Sequence, residues 1–138
     1  MVEFAAIIPF MLLLFIGLTE MGRAFVQANA VEKAMRAAAV YAARVENPTA
    51  LDTVAVIENL VKTGTADGTG HYLVSGWAQE SSRLDIAQSY FDLGEASIPV
   101  IRLTASVPFN PMIPELATMV GLDDFNIVLS HEQAYVDN

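Results

Sequence analysis

Residues 4–19, FAAIIPFMLLLFIGLT, form an uncharged run, and the helical pattern continues well beyond it. From Arg23 to Glu46 there is neither proline nor glycine, and the stretch is rich in alanine, a strong helix former. Apolar residues recur at Phe25, Ala28, Val31, Met35, Ala38, Ala42 and Val45, at steps of three and four that define one stripe. Gln27, Lys33, Arg36 and Arg44 lie off that stripe, and Glu32 precedes Arg36 by four residues in the favourable acid-first order. Asn47-Pro48 closes the pattern, because a residue before proline is pushed out of the α region. A helix from Glu3 to Glu46 would be roughly 65 Å long, far more than a small domain can enclose. Its second half can bury a stripe against a head while its first half projects. Pro9 and Gly17 are its expected weak points, since proline removes a backbone hydrogen bond and glycine loosens the helix.

The sixteen uncharged residues span about 24 Å as a helix, slightly less than the roughly 30 Å hydrocarbon core of a bilayer. A secretory signal peptide would need a basic residue before this run and a small-x-small cleavage site after it. Instead Glu3 precedes it and Thr19-Glu20-Met21-Gly22-Arg23 follows. A plain membrane anchor fits the hydropathy but leaves Glu3 unexplained, because a carboxylate in lipid costs a few kcal/mol unless paired or protonated. In an assembly helix, Glu3 answers the α-amino group of a neighbouring subunit. Phe4, Phe10 and Phe15 then pack against other helices as well as lipid.

The charge is as uneven as the hydropathy. Residues 1–46 carry four acids against four bases, so the whole net charge of −9 falls on residues 47–138. So acidic a head would repel phosphate backbones, which argues against nucleic-acid binding. With 138 residues there is room for one compact domain plus an appendage: residues 1–46 as the helix, 47–138 as the head. Cysteine is absent, so neither disulfides nor thiol chemistry are available.

Within the head, Leu51–Lys62 places Val54, Ile57, Leu60 and Val61 at helical spacing. The glycine-rich stretch 64–70 reads as a loop. His71–Trp77, Leu84–Tyr90 and Ile98–Val107 read as strands, the last with strict alternation of Ile101, Leu103, Ala105 and Val107 against Val100, Arg102, Thr104 and Ser106. A proline-rich stretch, 108–114, leads to a short helix over Glu115–Val120, stopped by Gly121. A final strand is expected from Phe125, ending at Leu129 or running on through Ala134. The expected class is α+β, a small antiparallel sheet covered on one face by the long helix. Trp77, Tyr72, Tyr90, Phe91, Phe109 and Phe125 are expected to fill its core.

Little resembles catalysis. His71 and His131 stand sixty residues apart with no ligand spacing. Asp67, Asp123 and Asp124 flank turns that could in principle hold calcium, but no EF-hand loop is present. Gly64, Gly68 and Gly70 lack the lysine of a phosphate loop, and no serine lies in Gly-x-Ser-x-Gly. No enzyme, cofactor or metal is expected.

Val2-Glu3-Phe4-Ala5, the apolar run with Pro9, then Gly17, Glu20, Gly22-Arg23-Ala24 and the alanine-rich 37–44 segment resemble the N-terminus of TadE-like pseudopilins. These belong to the tight-adherence branch of type IV pilus systems. Val107-Pro108-Phe109-Asn110-Pro111-Met112 also resembles that family's approach to its last elements. The resemblance implies a prepilin cut by a dedicated peptidase, insertion into the inner membrane, and extraction by an ATP-driven platform into a surface filament. It implies self-association through the N-terminal helix, with Glu3, Phe4, Pro9, Phe10, Phe15, Gly17, Glu20 and Arg23 as the assembly residues. The chain departs from the family in having its acid third rather than fifth, and no basic leader precedes Met1. Either the chain begins inside its precursor, or a couple of residues are missing, or it is processed differently. Two roles stay open: repeating filament subunit, or membrane-anchored minor pseudopilin or scaffold whose head recruits partners.

Overall fold

The computed structural model describes residues 2–94, 97–119, 121 and 124–135; the side chains of Val2, Glu3, Ala5 and Leu116 lie outside that description. Helix α1 runs from Val2 to Ala42, 41 residues or about 60 Å, unbroken through Pro9 and Gly17. It stops four residues short of Glu46. The chain tightens into a turn in which Arg44 N–H bonds Tyr41 O, and Tyr135 Oη donates to the Val45 and Glu46 carbonyls. Those carbonyls thereby gain a partner outside the helix, which favours ending it there.

Helix α2, Leu51–Thr63, ends on Gly64 at φ 77°, a left-handed cap whose N–H returns to Leu60 O. Strands β1 (Arg83–Asp92), β2 (Ser97–Pro108) and β3 (Asn126–Ala134) form one antiparallel sheet in the order β1-β2-β3. Helix α3, Pro114–Met119, lies in the β2–β3 connection. The α+β expectation holds.

The expected strand over His71–Trp77 does not form. Its run of β-branched and aromatic residues favours a strand locally, but Leu73 N–H bonds Lys62 O at the end of α2. Ser75–Ala78 then turn as one 3₁₀ unit with Gly76 and Trp77 buried. A Cβ on Gly76 would overlap the Pro108 carbonyl oxygen and lie 2.6 Å from Val107 Cγ1. Close packing beneath β2 therefore overrides the local preference.

The core lies between α1, α2 and the sheet. Val31, Met35, Ala38 and Ala42 of the stripe are fully buried, joined by Ala39, Ile57, Val61 and the inward residues of β2. Ile101, Leu103, Ala105 and Val107 face inward as the alternation requires, and Leu103 stands opposite Ile86 and His131. Each large apolar side chain fully buried here contributes about 1.5–3 kcal/mol. Phe25, at the lower end of the stripe, is 65% exposed instead, because an open groove separates it from β3.

The aromatic expectation is half corrected. Trp77 and Phe109 are buried, whereas Tyr72, Tyr90, Phe91 and Phe125 are exposed. Tyr90 and Phe91 pair with Pro99 and Ile98 close to the β1–β2 turn, at the sheet end where no helix covers them.

On the outer face Arg102 Nε donates to Glu132 Oε1 at 2.6 Å across β2 and β3. Both side chains are about half exposed, so the pair is worth about 0.5 kcal/mol after solvent screening. Arg102→Ala should shift a urea midpoint only slightly, and by less again at high salt.

Candidate functional site

Two surfaces of α1 follow from how far the head reaches along it. The head covers the helix from Glu20 upward, while the apolar residues below project. Phe4 (75% exposed), Phe10 (66%), Phe15 (69%) and Leu18 (72%) are left largely uncovered by the described residues. Pro9 is exposed and Gly17 half-buried. Neither Gly17 nor Gly22 has a neighbouring atom that would exclude a side chain. Glu3 lies in α1 with its side chain outside the described residues. Among the described residues α1 is the helix long and apolar enough to cross a bilayer, by length and composition.

Glu20 and Arg23 are placed differently from Phe4, Pro9, Phe10, Phe15 and Gly17, with which they were expected to share a role. Glu20 is 4% exposed, and its carboxylate accepts from Arg23 Nη1 at 2.8 Å and from Met112 N–H at 2.7 Å. Arg23 also donates from Nη2 to Asn110 O at 3.4 Å, and its guanidinium lies 5.9 Å above the Phe109 ring. Phe109 packs edge-on against Phe125, and its N–H bonds Phe125 O. The two residues thus form an intramolecular latch that pins segment 109–112 to the helix. The acid followed three residues later by an arginine signals an ion pair, but nothing local signals its partners some ninety positions away.

Beside the latch, Glu20, Met21, Ala24, Phe25 and Ala28 of α1 face Phe109, Phe125 and residues 126–129 of β3 across an apolar groove of about 450 Å³. No local pattern signals this groove, because it exists only once β3 lies along α1.

The residues set aside as possible chemistry stay apart. His71 is exposed in the loop after α2, and His131 is on β3 opposite Leu103. Asp67 accepts from Thr69 N–H and Thr69 Oγ1, and these hydrogen bonds, the backbone one foremost, hold its carboxyl below the ordinary carboxylate value. Asp124 lies in an exposed turn, and Asp123 falls outside the described residues. Among the described residues no three His, Asp or Glu side chains gather as a metal site.

A long helix with a projecting apolar half, and a small antiparallel sheet folded on its other half, define a pilin-like architecture. Residues 1–40 match the family described as TadE-like protein, so the N-terminal part of the chain is similar to that Tad pilus-related family. The match covers the apolar run, Glu20 and Arg23, and ends two residues before the end of α1. No curated protein and no solved structure matches.

Proposed function

We propose that the chain is a structural subunit of a tight-adherence-type surface filament. It would reside in the inner membrane before assembly and polymerise through residues 4–28. The observation that carries this reading is the exposed apolar half of α1, a surface too large for a monomer in water. Burial among neighbouring helices exchanges lipid contacts for protein contacts. Gly17 and Gly22, which weaken the helix by about 1 kcal/mol each without serving any contact inside the chain, allow a second helix to approach closely. The groove beside β3 offers further apolar surface. Prepilin peptidase and an assembly platform are the partners this reading calls for.

Electron microscopy of the purified full chain tests the proposal: fibres are expected, and monodisperse particles under every condition would overturn it. Glu3→Ala should lower fibre yield at least tenfold while membrane insertion persists; an unchanged yield would remove Glu3 from assembly.

The second role, a membrane-held minor subunit or scaffold, is favoured by one observation. Tyr90, Phe91 and Leu93 are exposed around the β1–β2 turn, at the end of the head farthest from the apolar helix. It predicts retention in membranes without fibres and crosslinks from this turn to a partner.

A further inference from the structure

We propose that segment 109–119, the proline-rich stretch and α3, is a membrane-facing ledge that rests on the headgroup region of a zwitterionic bilayer and extends the uncharged run of α1, which by itself is shorter than the hydrocarbon core. The inference depends on the membrane residence proposed above.

The segment's direction along α1 is fixed by the latch. Asn110 O meets Arg23 and Met112 N–H meets Glu20, so the chain descends the helix toward the uncharged run. Met112 therefore sits level with the first residue beyond that run. Residues 4–19 fall about 6 Å short of a typical hydrocarbon core, the rise of four helical residues. Those four, 20–23, are the stretch the latch occupies. Glu20 presents no charge outward there, being almost fully enclosed and satisfied by two donors.

The ledge itself is apolar where it can be seen. Met112 is 67% exposed, Met119 69% and Ile113 36%, although all three belong to a segment with few contacts to the rest of the head. Met21, next to Glu20 on α1, is 52% exposed at the same level, so apolar surface of the helix lies beside Met112 at this height. Methionine suits an irregular, mobile apolar phase because its side chain adapts to whatever it contacts. Glu115 and Asp124 are exposed on or beside the segment. Together with the acidic head they disfavour an anionic surface, which is why a zwitterionic one is specified.

The chain has no cysteine, so single labels can be placed freely. Spin labels at Leu12→Cys, Met112→Cys and Leu51→Cys would be read in the full chain reconstituted into phosphatidylcholine vesicles. Leu51, 90% exposed at the start of α2, serves as the water-facing reference. Collision with oxygen reports lipid, and collision with a water-soluble nickel chelate reports solvent. The expected result is a deep position for the label at 12 and a shallow, oxygen-accessible position for that at 112, with nickel access severalfold below that at 51. If 12 is deep but 112 is as open to nickel as 51, the ledge is overturned and membrane insertion stands. If 112 is shielded from both reagents and shows spin–spin broadening, a second copy covers it, and the ledge is again overturned. If 12 itself is open to nickel, the membrane reading falls and the ledge with it.

Discussion

Glu20→Ala should lower the thermal midpoint of the head by roughly 10 °C, read by the near-ultraviolet circular dichroism of buried Trp77 in the full chain held in micelles. The substitution removes the acceptor for Met112 N–H and the counter-charge of Arg23 together. A part-buried donor left without its partner costs about 1 kcal/mol, at the low end of the penalty for a buried one. Arg23 is about one-third exposed and keeps Asn110 O, so its share is discounted for solvent. A total of about 2 kcal/mol follows, and for a domain of this size each kcal/mol is worth about 4–8 °C. Glu20→Gln keeps an acceptor oxygen but loses the charge, and should lie between wild type and Ala. A midpoint unmoved by both variants would mean that segment 109–112 is held by Phe109 alone.

The other large effect is expected at Gly76. A methyl group there meets the Pro108 carbonyl oxygen and Val107 side chain, both parts of the central strand. Backbone cannot rotate aside as a side-chain tip can, so either the 3₁₀ turn lifts or β2 bends. Overpacking of this kind costs about 3 kcal/mol, which corresponds to roughly 15 °C. Gly22→Ala makes the matched control: its added methyl meets nothing within the chain, so the midpoint should hold or rise slightly. Equal losses for the two variants would show that the effect at 76 is not steric.

The sequence discloses those parts of the fold whose cause is local. The stripe on α1, the helix expected over Leu51–Lys62 and the alternation in β2 each repeat with the period of the element they form, and apart from the stripe's ends, Phe25 and Val45, each stands where periodicity puts it. The failures have non-local causes. His71–Trp77 carries strand formers, yet its fate is decided by the fit of Gly76 under Pro108, thirty residues on. Tyr90 and Phe91 have core-like chemistry but stand at an end of the sheet that no helix covers. The candidate site divides the same way. Hydropathy marks the projecting half of α1 directly, whereas Glu20 and Arg23 look like two more residues of that helix until β3 and segment 109–112 are laid against them.

Strand β3 runs alongside α1 in the same direction, with residues 126–129 near Glu20–Ala28 and Tyr135 fastened beyond the helix end. A tensile load entering at the N-terminal end of α1 therefore acts along this seam in shear. The latch, the alanine stripe and the Tyr135 hydroxyl must then yield together rather than one after another. Bonds loaded in parallel share the force, so the head is built to be pulled by its own helix.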